Sequence, residues 1–179
     1  DLTSAAIDLL KDLIGLPSFS KQEDKTANRI GEWFNHYGIP YERDGNNLWA
    51  KNKAFDPQKP TLLLNSHHDT VKPNTAYTND PFEAKIVDGK LYGLGSNDAG
   101  GALVSLIALF THYFNKENPK YNLLVVASAE EEIAGDDSLS GLLPKLPKID
   151  VAIVGEPTEM HLAVAEKGLI VFDAVIKGT

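Results

Sequence analysis

The stretch "PTLLLNSHHDTV", Pro60 to Val71, decides how this chain is read. Leu62-Leu63-Leu64 is the kind of apolar run that is buried in a central sheet. It leads through Asn65 and Ser66 straight into His67, His68 and Asp69. A core strand that finishes in imidazole and carboxylate groups puts metal-ligand chemistry at one edge of a sheet. The ends of the other strands then decide whether a site forms there.

Two more apolar runs end the same way. "YNLLVVASA", residues 121–129, empties into Glu130, Glu131 and Glu132, and "VAIVG", residues 151–155, empties into Glu156. Between the first two runs, the loop "GLGSNDAGG", residues 93–101, delivers Asp98 to the start of a long apolar helix expected over 98–114. Upstream, Ile7, Leu10, Leu13 and Ile14 have helical spacing. A second helix is expected over 20–38, with Ser20 and Glu23 as a capping box and Gly38 as its stop. Residues 39–52 read as two strands around Gly45-Asn46, and 84–93 as a hairpin turning at Asp88-Gly89. A short helix is expected over 136–146, and two further strands over 161–166 and 168–178. Strands alternating with helices predict an α/β fold, an open, mixed but largely parallel sheet with helices on both faces. In such sheets function collects beyond the carboxyl ends of the strands.

Composition narrows the chemistry. The chain has 179 residues, 42% hydrophobic and 23% charged, which suits one soluble globular domain or part of a larger protein. No apolar run approaches the roughly 20 residues of a membrane span, and no signal segment opens the chain, so a cytoplasmic location is expected and a membrane is not. A net charge of −8 with scattered Lys and Arg argues against nucleic acid. There is no cysteine, so any metal must be held by His, Asp and Glu.

Each motif has a plainer reading by itself. His-x-Asp is common, three glutamates are usually a solvated charge run, and "GEPT" is a turn. "GLGSND" fails as a dinucleotide loop because Asp98 stands where the third glycine belongs. The joint pattern is what carries weight. Several carboxylates gathered at one sheet edge repel unless one takes a proton or a cation joins them. Oxygen and imidazole donors suit zinc, cobalt or manganese. The number of carboxylates suits two ions rather than one, with a single Asp able to bridge ions about 3.5–4 Å apart.

The order "SHHDTV", "GLGSNDAGG", "AEEEIAG", "GEPT", "EKG" resembles the zinc-dependent amidohydrolases and metallopeptidases that include acetylornithine deacetylase, succinyl-diaminopimelate desuccinylase and glutamate carboxypeptidase. The resemblance implies a zinc-peptidase-like catalytic domain. It implies one zinc on His67, Asp98 and Glu156 and a second on Asp98 and Glu132. Asp69 would orient the His67 ring by accepting its other N–H, while His68 points away. Glu131 would be the general base, taking a proton from the attacking water and passing it to the leaving amine. A cis peptide is implied at Asp98-Ala99.

Four departures stand out. Glu130 replaces the family's usual Asp, which leaves open which two of the three glutamates are base and ligand; Ile133 favours Glu131 and Glu132. Ala134 stands for a glycine, and Ala99-Gly100 for a common Met-Lys pair. The family's distal zinc-binding histidine has no counterpart here, since His161 lies too close to "GEPT" and His36 and His112 fall in expected helices. Residues 1–177 are therefore expected to be the N-terminal part of a catalytic domain, with 178–179 where a lid domain would begin, the lid and C-terminal part lying beyond. The resemblance is closest to acetylornithine deacetylase, implying hydrolysis of an N-acyl amino acid in arginine biosynthesis. Desuccinylase and di- or tripeptidase activities are the alternatives, and a non-catalytic metal-binding scaffold is the alternative of another class. A full-length homodimer is expected, and the fragment alone is expected to be inactive or impaired.

Overall fold

The structure is a computed structural model and describes residues 1–165, 168, 172, 174–176 and 178. Helices α1 (Leu2–Ile14), α2 (Asp24–His36) and α3 (Gly101–Tyr113) pack on one face of a five-stranded sheet. Its strands are β1 (Glu42–Asp44), β2 (Asn47–Lys51), β3 (Thr61–His67), β6 (Asn122–Ser128) and β7 (Val151–Val154), in the order β1-β2-β6-β3-β7. The hairpin β4 (Lys85–Val87) and β5 (Lys90–Tyr92) stands apart as a second, two-stranded sheet. The short helix α4 (Leu139–Leu142) covers the other face, where Leu142 packs with Trp49, Leu63, Leu124 and Val126. The sheet is mixed, with helices on both faces. No helix among the described residues is long and apolar enough to cross a membrane.

What matters for the site is direction. β3 and β6 run parallel in a register that sets His67 beside Ser128, and β7 runs parallel to β3 on its other side. The carboxyl ends of all three strands therefore open on one edge. β2 joins β6 antiparallel, so the sheet's other flank contributes turns rather than strand ends. Both core strands are buried on both faces, which is why they read as unbroken apolar runs.

Several expectations need correction. Helix α2 begins at Asp24, not Ser20, and its Glu23 N-cap makes no side-chain cap. The Ser20 hydroxyl and the Glu23 carboxylate are both engaged elsewhere, so the capping box does not form. α3 begins at Gly101, because Asp98 and Ala99 keep non-helical dihedrals in the turn Ser96–Gly100. Ile7 is 40% exposed on the solvent side of α1, and Ala6 and Leu9 take the inward positions with Leu10, Leu13 and Ile14. The apolar run of β7 predicts a buried strand. Among the described residues it is instead the outer strand, with Val151 61% exposed and Val154 54% exposed. Of the strand expected over 161–166, residues 161–165 are irregular and 166 lies outside the described residues. Of the strand expected over 168–178, residues 168, 172, 174–176 and 178 are irregular and the rest lie outside the described residues.

Candidate metal centre

The centre is built around His67, the last residue of β3 and 1% exposed. Its Nδ1 lies 3.0 Å from the Asp69 backbone oxygen and 3.3 Å from Asp69 Oδ1. Two acceptors at one ring nitrogen place the proton there and leave Nε2 facing the strand ends. Nε2 meets Asp98 Oδ1 at 3.1 Å, Glu156 Oε1 at 3.8 Å and Glu131 Oε2 at 3.9 Å. Among the described residues, His67, Asp98 and Glu132 each offer a ligand atom, and these atoms all lie within 4.8 Å of one another. The strand ends β3, β6 and β7 and the turn before α3 thus converge on one imidazole. The peptide Asp98-Ala99 is cis.

Asp69 is fully buried and receives every donor around it. Besides His67, its Oδ1 takes the Glu131 N–H at 3.1 Å, and its Oδ2 takes the Glu132 N–H at 3.2 Å and the Ser20 hydroxyl at 2.7 Å. Burial alone would raise its carboxyl, but the hydrogen bonds from His67, Ser20 and the two N–H groups hold it below the usual range. One carboxylate thereby aims the imidazole and fixes the turn that presents Glu131 and Glu132.

The three glutamates separate in space. Glu130 takes a left-handed backbone (φ 53°) and turns inward to 6% exposure, its Oε2 without a hydrogen-bond partner among the described residues. That side chain folds over Gly135, where a Cβ would clash with it. Glu131 and Glu132 remain on the side of His67. His68 leaves the strand in the opposite sense. It is buried between Thr26 Oγ1, 2.8 Å from Nδ1, and the Asn46 carbonyl, 3.0 Å from Nε2, and burial lowers its pKa. His36 and His112 are exposed and stand edge-on to the tyrosine that follows each.

The electrostatics are those of a site in need of a cation. Burial pushes Glu156 up to about 7; His67 pulls against that, while the charges of Glu131, Asp98 and Glu132 add to it. Glu132 is raised by burial and then by Asp98. Burial would lower His67, but the hydrogen bond to Asp69 and the charges of Glu156, Asp69 and Glu131 lift it to about 9. A divalent ion would substitute for the protons these groups otherwise retain. The donor set, one imidazole and several carboxylates without a thiolate, fits zinc, cobalt or manganese.

Sequence reasoning missed the roles of Ser20 and Glu23, whose side chains bond toward this centre instead of capping the helix. Ser-x-x-Glu before a helix has a strong local meaning, and nothing in the spacing reveals a long-range use.

A model of Peptidase family M20/M25/M40 matches residues 63–168. A succinyl-diaminopimelate desuccinylase from Bordetella avium (strain 197N) is 30% identical over 170 residues, covering 88% of this chain and 44% of that protein. The crystal structure of an M20 family metallo-carboxypeptidase from Sulfolobus solfataricus superposes with a TM-score of 0.67 at 27% identity, covering 87% of this chain and 37% of the other. A dinuclear metal binding peptidase of the M20 family from Bacillus subtilis shares the fold, with a TM-score of 0.65 at 21% identity over 86% of this chain and 42% of that one. This chain therefore spans less than half the length of the relatives it matches.

Proposed function

Because this chain belongs to peptidase family M20/M25/M40, we propose that it is the metal-binding part of an amidohydrolase that cleaves the amide bond of an N-acyl amino acid or small peptide. The observation that carries the reading is the convergence of Asp98, Glu131, Glu132 and Glu156 on the Nε2 side of His67, while Asp69 occupies the Nδ1 side.

His67, Asp98 and Glu156 would hold one ion, and Asp98 and Glu132 a second. When bound, such ions supply Lewis-acid activation of water and of the scissile carbonyl. The remaining work falls to the chain. Asp69 keeps the His67 proton on Nδ1, so that Nε2 offers its lone pair. Glu131, with a side chain 54% exposed and 3.9 Å from Nε2, is free to take a proton from water and return it to the leaving amine. Its backbone N–H is anchored to Asp69, which limits how far the carboxylate can wander.

The substrate is the finer part of the proposal. N-acetylornithine-type deacetylation in arginine biosynthesis rests on the sequence motifs alone. The Bordetella relative favours the alternative, desuccinylation, and di- or tripeptidase activity is the third. Residues 1–177 as the first part of a catalytic domain, two zinc ions, a cytoplasmic location and a full-length homodimer belong to the same proposal. Assay of the full-length protein with N-succinyl, N-acetyl and dipeptide substrates, with and without added zinc, tests it. Metal-dependent cleavage of one class supports the reading. No cleavage of any of them by metal-loaded protein refutes it and favours a metal-binding scaffold.

A further inference from the structure

The loop from Ser18 to Glu23, between α1 and α2, contributes no side chain to the metal-facing cluster, yet it braces that cluster from behind. The Ser20 hydroxyl donates to Asp69 Oδ2 at 2.7 Å, the shortest of the contacts made by that carboxylate. Ser20 itself is held on both sides. Before it, Ser18 O accepts the Thr70 N–H at 2.9 Å, and Phe19 bridges to Thr70 in parallel fashion. After it, Lys21 adopts a left-handed backbone (φ 73°) and donates its N–H to Glu23 Oε1 at 2.8 Å.

Glu23 is a fully buried carboxylate, and no Lys or Arg pairs with it among the described residues. Such a group is stable only where N–H donors satisfy it. Here Oε1 also takes the Glu130 N–H at 3.3 Å, and Oε2 takes Asn46 Nδ2 at 3.0 Å. Glu23 thus clamps the 18–23 loop to the turn that carries Glu131 and Glu132. The Ser20 hydroxyl lies at a defined place because of this clamp, not because of a helix cap.

We propose that Ser20 is a positioning residue for the metal centre, acting through Asp69 on His67. The inference rests on the proposed function. Asp69 has to present Oδ1 to His67 Nδ1 while Oδ2 stays occupied, and Ser20 is the one side-chain donor to Oδ2 among the described residues. Without that hydroxyl the carboxylate can rotate toward its remaining donors, and the imidazole loses its fixed aim. Partners that orient a metal-ligating histidine in this way commonly change metal affinity by about 10- to 100-fold.

The test compares the chain carrying Ser20, Ser20→Ala and Ser20→Thr. Zinc affinity is measured by competition with a chromophoric chelator, the absorption of the cobalt-loaded forms is recorded, and circular dichroism monitors the fold. Ser20→Ala is expected to keep its helical signal, bind zinc about tenfold or more weakly, and shift the cobalt bands. Ser20→Thr keeps the hydroxyl and should recover most of the affinity. Unchanged affinity and cobalt bands in Ser20→Ala overturn the inference. So does a threonine variant as weak as the alanine one, which would reduce Ser20 to loop packing. A parent chain that binds neither metal removes the proposed function and this inference with it, a result distinct from parent binding that is indifferent to Ser20.

Discussion

Replacing Asp69 with Asn changes one oxygen of a fully buried carboxylate to an amide nitrogen and leaves its shape intact. The structure sets the consequence. With the new nitrogen at the Oδ2 place, the Glu132 N–H faces a donor and the Ser20 hydroxyl must turn; with it at the Oδ1 place, the Glu131 N–H and His67 Nδ1 both face a donor. Either way at least one part-buried N–H is orphaned, at about 1–3 kcal/mol, and the contact to His67 loses its charge assistance, about 1–1.5 kcal/mol more. Together these come to roughly 2–4.5 kcal/mol, a large share of the 5–15 kcal/mol that holds a typical domain together. With a urea slope of about 2 kcal/mol/M, the metal-free midpoint should fall by roughly 1–2 M. The hydrogen bond to Asp69 is also the leading cause that lifts His67 toward about 9, so the imidazole of the variant should titrate well below that value by NMR. A variant that unfolds at the parent's urea concentration and still titrates His67 near 9 would refute the role given to Asp69.

Glu131→Gln should retain metal and lower hydrolysis by about 10²–10⁴-fold, as expected for loss of a general base; equal turnover in a steady-state assay removes Glu131 from that role. At Gly100 a Cβ would meet Gly95 O at 2.6 Å and Leu10 Cδ1 at 2.7 Å, so Gly100→Ala must displace the turn that carries Asp98. A thermal midpoint lowered by several degrees, for an overpacking cost of about 1–3 kcal/mol, is expected together with weaker metal binding; an unchanged melt would contradict the close packing there. In chelator, stability should decline as pH rises. The raised pKa of His67 contributes stability that is complete below 6.5 and gone above about 9, and that of Glu156 acts in the same sense between 4.5 and about 7. Asp69 and His68 act oppositely, Asp69 losing its contribution as pH falls below 3.8 and His68, lowered by burial, as pH falls below 6.5. Urea midpoints at pH 6, 7.5 and 9 check this, and a midpoint that rises across that range contradicts it.

The part of the fold that positions the site was legible because β3 and β6 are buried on both faces, so their sequences carry unbroken apolar runs whose ends are unmistakable. His67 and Asp69 at the end of one run, and Glu131 and Glu132 at the end of the other, needed only parallel pairing to be brought together. β7 shows the limit of that logic. Its composition is just as apolar, but among the described residues it has a neighbour on one side only, which leaves it exposed, and composition does not report how many neighbours a strand has. The start of α3 was misplaced because Asp98 and Ala99 leave helical dihedrals, a backbone property that no side-chain pattern encodes. Ser20 and Glu23 were misread for a different reason. Their spacing satisfies a local rule, while their partners Asp69 and Glu130 lie 49 and 107 residues away in the sequence. In the sequence Glu130 is set apart from Glu131 and Glu132 only through Ile133; in the structure its left-handed backbone turns its side chain inward.

The central claim is that three strand ends and one turn form a metal centre on His67. The most direct measurement is zinc per chain after exhaustive dialysis, by elemental analysis, for the parent and for His67→Ala with its fold checked by circular dichroism. The account predicts at least one tightly held zinc per parent chain and loss of that metal in the variant. A parent chain that retains no stoichiometric divalent metal, or a folded His67→Ala variant that retains as much as the parent, would contradict it.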